Sequence, residues 1–312
     1  MKHSYLSLSP LVAWKEHPRP LDWDAVFGQD GPLYLELGCG NAEMLIRQAQ
    51  EDPAARLVGL DLDWPSLRRG LRRISQARVS NIRLLLIEAS NALERLFTPN
   101  SLAGITCHFP CPWPKDKHAH RRLFGQDFLC LMNSRLAPDA AFHLLTDWLP
   151  FLEWILAESP GSGLTPAWAT LPAAGVTKYG RKWQATGQTE FYELTLTKQQ
   201  ALTRPPLQEP AMQIHRLIHA DPARLTPFEF TEPDVVSCRE MVYDQPAQKA
   251  LARVFTVENG FRQRFYVEIC REKDGPWQVK PATGSSVVPS RAVQTALEEI
   301  AKRVAVEGGE EG

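Results

Sequence analysis

Residues 33–50 read LYLELGCGNAEMLIRQAQ, and the change of rhythm within this stretch decides the fold. LYLEL (33–37) is a short, nearly continuous apolar run, as in a strand buried on both faces. GCG (38–40) interrupts it with two glycines, which let the backbone turn tightly and approach a ligand closely. NAEMLIRQAQ (41–50) then puts Met44, Leu45 and Ala49 on one helical side. Strand, glycine turn and helix form the opening unit of an open α/β sheet.

The alternation continues down the chain. RLVGLDL (56–62), IRLLLIEA (82–89), LAGITCHF (102–109) and AAFHLLTD (140–147) predict further strands. PSLRRGLRRISQA (65–77) predicts a helix with proline in its first turn. Strands and helices in series imply a mostly parallel, doubly wound α/β sheet with right-handed crossovers. TEFYELTLTK (189–198) alternates apolar and polar residues and suits a late, partly antiparallel strand.

At TRPPLQEP (203–210) the composition shifts, and residues 201–212 read as a proline-rich linker. It separates a domain at 1–200 from a small α+β appendage at 213–305. There, ALARVFTVENGFRQRFYVEIC (250–270) holds two strand-like runs around Asn259–Gly260, a hairpin signal. Val293, Ala296, Leu297, Ile300, Ala301 and Val304 share one helical face, with Ser290 as N-cap. Residues 306–312 form an acidic tail, of which GGEEG (308–312) is expected to be disordered.

Bulk composition excludes little and steers attention to local patches. The 312 residues are 44% hydrophobic and 23% charged, with a net charge of −1, so no overall basicity announces a polyanionic partner. MKHSYLSLSPLVAW (1–14) lacks the apolar core of a secretory signal, and no run is long enough to span a bilayer. Six cysteines without a CxxC pair suit reduced thiols in a cytoplasmic protein.

Three acids fall at the C-terminal ends of three successive predicted strands: Glu36, Asp61 and Glu88. The dinucleotide pattern GxGxxG fails at Glu43, and Glu36 precedes the glycines. That arrangement points to a ligand with a positive group, such as the amino-acid end of S-adenosyl-L-methionine. Asp61 is placed to accept ribose hydroxyls, and Glu88 with the Ala89 amide to read an adenine edge. Each acid alone is most simply a solvated strand end; together they mark where such sheets bind ligands.

Basic residues collect in three sets. RRGLRR (68–73) makes a stripe on one helix, which on its own is a solvated face. Lys115, Lys117, His118, His120, Arg121 and Arg122 follow the fourth strand, with Trp113 offering a stacking surface for an extruded base. Lys178, Arg181 and Lys182 form the third set. Their clustering at strand ends favours RNA, with Arg68, Arg72, Lys115 and Arg121 as phosphate contacts. Cys107, Cys111, His118 and His120 carry zinc-ligand chemistry at spacings too short for a finger, so no metal is expected.

Residues 33 to about 198 resemble the bacterial tRNA (guanine-N7)-methyltransferases. The matching motifs are ELGCG (36–40), GLDL (59–62), HFPCPWPKDKHAHRR (108–122), LLTDW (144–148) and TKY (177–179), in family order. The resemblance implies a Rossmann-like class I methyltransferase fold and an enzyme that methylates guanine N7 in the tRNA variable loop. It implies cofactor contacts at Glu36, Gly38, Gly40, Asp61, Glu88, Ala89 and Cys111. It implies substrate contacts at Lys115, Asp147, Thr177, Lys178, Tyr179 and Gly180, with Cys111 and Asp147 at the catalytic centre.

Two departures stand out: Cys111 replaces the family's aspartate in F-P-D-P-W, and Gly180 replaces a glutamate. Asp147 and Asp116 are the acids available to substitute, and Glu88 stands where aspartate is usual. Two competing expectations remain: a tRNA-binding paralogue whose catalysis has decayed, and a C5-pyrimidine methyltransferase with Cys111 as nucleophile.

Overall fold

The computed structural model describes residues 6–172, 190–271 and 275–306. They form two compact units, 1–207 and 208–312.

Seven strands of the first unit build one sheet. They are β1 (Leu33–Leu37), β2 (Arg56–Asp61), β3 (Ile82–Leu86), β4 (Leu102–His108), β5 (Leu136–Thr146), β6 (Leu164–Pro172) and β7 (Glu190–Lys198). Their order is β3-β2-β1-β4-β5-β7-β6. The strands from β1 to β5 run parallel, and β7 lies antiparallel to β5 and β6. The helices are α1 (Trp23–Phe27), α2 (Glu43–Glu51), α3 (Trp64–Ala77), α4 (Ala89–Leu96), α5 (Gln126–Arg135) and α6 (Leu149–Glu158). Chain order reverses between β1 and β4, the switch point at which open α/β sheets bind ligands beyond the strand ends.

Local chemistry explains most of these elements. Leu35, Leu37, Leu57, Val58, Ile105 and Leu144 are buried in the sheet's centre. Asp63 caps α3 by accepting the Ser66 N–H, and Pro65 lies in its first turn. The glycine of GLDL is a packing requirement. A Cβ on Gly59 would lie 2.4 Å from Leu45 Cδ1 and 2.8 Å from Cys39 Sγ, so both side chains would have to shift. Before the sheet begins, Leu84 donates to the Pro10 carbonyl and Val12 to the Leu84 carbonyl, covering the free edge of β3.

Two elements differ from the expectation. The run at 82–89 stops as a strand at Leu86, because Glu88 caps α4 and Ala89 begins that helix. β6 has no apolar periodicity to reveal it: after Leu164 its side chains are exposed, as on a sheet edge. Part of the proline-rich stretch is laid on the first unit. Leu202 donates to Asn133, Arg135 to the Arg204 carbonyl, and Leu207 to the Glu94 carbonyl.

The second unit is a six-stranded antiparallel sheet: β8 (His215–Leu217), β9 (Phe228–Phe230), β10 (Val235–Asp244), β11 (Lys249–Glu258), β12 (Phe261–Arg271) and β13 (Trp277–Pro281), in the order β8-β13-β12-β11-β10-β9. Asn259 and Gly260 join β11 to β12 with φ of 48° and 79°, both left-handed as a type I′ turn requires. Ser290 caps α7 (Arg291–Val304) through the Val293 N–H. The helix buries Val293, Ala296, Leu297 and Ile300 with Ala252, Val254, Val267 and Ile269 of the sheet.

Candidate active site

The site grows from the C-terminal end of β1. Glu36 is 4% exposed, and its Oε1 lies 2.9 Å from His108 Nδ1 at the end of β4. Its Oε2 is buried with no hydrogen-bond partner among the described residues. A buried acceptor left open costs about 1–3 kcal/mol, so it marks a place meant for a donor. Gly38 and Gly40 follow with φ of 71° and 54°, a left-handed geometry that strains other residues. Together with Glu36, Asn41, Met44 and His108 they line an open cleft.

Asp61, the last residue of β2, ties the glycine turn in place. Its Oδ2 accepts the Gly40 N–H at 2.8 Å and its Oδ1 the Asp63 N–H at 2.8 Å. A carboxylate has about four acceptor positions, so capacity for ribose hydroxyls remains. Glu88 is engaged differently from the expected strand end: its Oε2 accepts the Asn91 N–H at 3.1 Å and the Asn91 Nδ2 at 3.0 Å. Ala89 is buried in the first turn of α4. Glu36, Gly38 and Gly40 thus share one cleft, Asp61 joins it through Gly40, and Glu88 with Ala89 sits at the next helix start.

Beyond β4, HFPCPWP leaves the sheet in a constrained path. Phe109 and Trp113 hold φ of 51° and 48°, on either side of Pro110, Cys111 and Pro112. Left-handed backbone at two non-glycine residues costs about 1–3 kcal/mol each and persists where surroundings enforce it. Arg122 supplies that enforcement. Its Nε donates to the Pro112 carbonyl at 3.2 Å and its Nη2 to the Trp113 carbonyl at 3.3 Å. The same guanidinium lies 5.8 Å from the Trp148 ring and 5.3 Å from Trp154.

Cys111 is the only exposed cysteine of the six. Burial raises the thiol pKa of Cys107, and Glu36 raises it further. Cys39 is pushed well up by burial, then by Glu36 and Asp61. Both stay as inert core thiols, as expected for Cys107 from its strand position.

The basic residues divide by role. Arg68, Arg72, Lys115 and Arg121 are exposed. Arg121 lies 5.0 Å over the Trp113 ring, so one face of the expected base-stacking surface carries a guanidinium. Arg69 is bonded to Ser66 and Arg73 to Glu43. Arg122 points inward as a structural donor. Asp147 follows β5 and is half-buried. Thr177, Lys178, Tyr179 and Gly180, with Arg181 and Lys182, lie outside the described residues, as does the Asp116 side chain. His108 was not anticipated; its signal is a polar residue ending the strand next to Glu36 in a sheet whose switch lies there. Among the described residues, no helix is long and apolar enough to cross a membrane, and no group of three His, Cys, Asp or Glu could hold a metal ion.

A sheet of this order, with a glycine turn after β1, is the Rossmann-like class I methyltransferase fold. A family model described as a putative methyltransferase matches residues 30–193. The tRNA (guanine-N(7)-)-methyltransferase of Mycolicibacterium paratuberculosis is 37% identical over 194 residues, 60% of this chain and 75% of that protein. The protein of the same name from Nitrosomonas europaea is 35% identical over 155 residues, 50% of this chain and 69% of its own. The one from Thermotoga maritima is 25% identical over 301 residues, 93% of this chain and 94% of that one, so the match extends through the second unit. The chain belongs to the tRNA (guanine-N7)-methyltransferase family.

Proposed function

We propose that this protein transfers a methyl group from S-adenosyl-L-methionine to N7 of a guanine in the variable loop of tRNA, in the cytoplasm. The observation that carries the reading is the open, buried Oε2 of Glu36 at the switch point of the sheet. It suits the cofactor's ammonium group, while Asp61 accepts its ribose hydroxyls and the Gly38–Gly40 backbone lets it approach. The bound cofactor supplies a sulfonium-activated methyl group.

Guanine N7 carries an exposed lone pair and no proton. Transfer forms the N7–carbon bond and breaks the carbon–sulfur bond without moving a proton, so no general base is needed. The chain's task is therefore alignment of the two partners. Arg122 and the paired prolines hold the segment bearing Cys111 and Lys115 rigid beside the cleft's β4 wall. Arg68, Arg72, Lys115 and Arg121 meet tRNA phosphates, and Asp147 with residues 177–180 orients the base.

Cys111 takes the place of the family's carboxylate and has no covalent role in this account. Loss of a charge-assisted acceptor costs about 1.5–3 kcal/mol, which lowers a rate without abolishing it. Cys111→Asp is expected to retain or raise N7 methylation, and Cys111→Ser to stay measurably active. A covalent Cys111–RNA adduct trapped with fluorinated-pyrimidine tRNA would overturn this assignment in favour of C5 chemistry.

A further inference from the structure

The second unit has two unlike sheet faces. In β11, Ala250, Ala252 and Val254 are buried with α7, so Leu251, Arg253 and Phe255 project from the opposite side. In β12, Phe265, Val267 and Ile269 point to the helix, and Arg262, Arg264 and Tyr266 point away. Register sets these outward residues against one another: Arg264 opposite Phe255, and Arg253 opposite Tyr266. Ser237 of β10 lies opposite Phe255 on the other side.

This outer face is not an ordinary solvated surface. Acids outnumber bases in residues 208–312, yet arginines gather here. Arg239, Arg253 and Arg264 border one depression, with Ser237 and Phe255 in its lining. Arg239 and Arg253 have acidic partners, Glu229 at 2.8 Å and Glu240 at 2.6 Å. Arg262 and Arg264 have no acidic partner among the described residues; Arg264 instead lies 5.6 Å over the Phe255 ring. Tyr266 remains 47% exposed and Leu251 37% exposed between these charges. Cations spaced along strands with the exposed Tyr266 ring among them match a polyphosphate backbone carrying unstacked bases. Arginine meets the phosphates and the ring meets a base face.

We propose that this sheet face is a second RNA-binding surface, on which tRNA backbone phosphates meet Arg262 and Arg264 while an unpaired base stacks on Tyr266. The identity of the RNA rests on the function proposed above; the existence of the surface does not.

The test uses the full-length protein and an unmodified tRNA transcript, with binding followed by fluorescence anisotropy as salt rises from about 50 to about 200 mM. Arg262→Ala combined with Arg264→Ala is expected to weaken binding about tenfold at ~0.1 M salt. The slope of log affinity against log salt should shrink by roughly 1.4–1.8, since each lost phosphate contact removes about 0.7–0.9. The corresponding double lysine variant should keep the wild-type slope, and S-adenosyl-L-methionine affinity should be unchanged in both. An unchanged tRNA affinity and slope in the double alanine variant overturns the proposal, which is also what a face serving an acidic protein partner would give. Methylation is read in the same samples. Failure of the wild type to methylate guanine would refute the reaction while leaving the salt comparison to decide the surface.

Discussion

Replacing Glu36 with alanine is expected to weaken S-adenosyl-L-methionine binding about a hundredfold while leaving the ligand-free protein as stable as the wild type, or more so. The two halves of this result have one cause. Glu36 is buried at 4% exposure with one oxygen on His108 and the other unpartnered, a geometry that costs folding energy unless a ligand completes it. A charge-assisted bond to an ammonium in such a place contributes about 3 kcal/mol, and each 1.4 kcal/mol is about tenfold in affinity. His108→Ala should act in the same direction but less, about tenfold, because it frees Oε1 to swing and leaves the acceptor present. Calorimetric titration gives the affinities and thermal melting the stability. An affinity within a factor of about three of wild type for Glu36→Ala would place the cofactor elsewhere.

A second large effect is expected far from the cleft. Arg135→Met should destabilise the first unit by about 3–5 kcal/mol, a large part of the roughly 5–15 kcal/mol that holds a domain together. The Arg135 side chain is fully buried at the end of α5, and its guanidinium donates to the Leu93 carbonyl at 2.7 Å, Ser134 Oγ at 3.0 Å and the Arg204 carbonyl at 2.5 Å. Burial, and then the charge of Arg204, push its pKa down to about 10, so it remains protonated at neutral pH. Methionine fills the volume but leaves those oxygens without a donor, each costing about 1–3 kcal/mol. Eight of the nine tryptophans lie in residues 1–207, so urea unfolding followed by tryptophan fluorescence reports this unit. A shift in midpoint worth less than about 1 kcal/mol would show that water replaces the guanidinium without loss.

Arg135 also shows which parts of the fold can be read in sequence and which cannot. Elements whose signal is local were legible: the apolar run of β1, the glycines that must be left-handed, the Asn259–Gly260 turn, and Ser290 ahead of a one-faced helix. Elements whose signal is a distant partner were not. Glu88 continues an apolar run in sequence, and only its bonds to Asn91 show that a helix has begun. β6 is exposed along nearly its whole length, so no alternation betrays it.

The site divides the same way. Glu36, Asp61 and the glycines follow from their places at strand ends. His108 becomes visible only when β4 is known to lie beside β1. Arginines are the hardest to assign, since one residue type serves phosphate, aromatic ring or buried carbonyl. Arg121 and Arg122 are adjacent in sequence, yet one covers Trp113 from outside and the other holds the Pro112 and Trp113 carbonyls from within.

Methylation of guanine N7 in tRNA leaves a product that can be identified base by base. Purified full-length protein is incubated with unmodified tRNA transcript and methyl-labelled S-adenosyl-L-methionine, and the RNA is digested to nucleosides. Label is expected in 7-methylguanosine, with cleavage at the modified base after borohydride and aniline treatment falling in the variable loop. Label in a 5-methylpyrimidine, or no incorporation by a protein that binds both cofactor and tRNA, would contradict methylation at guanine N7.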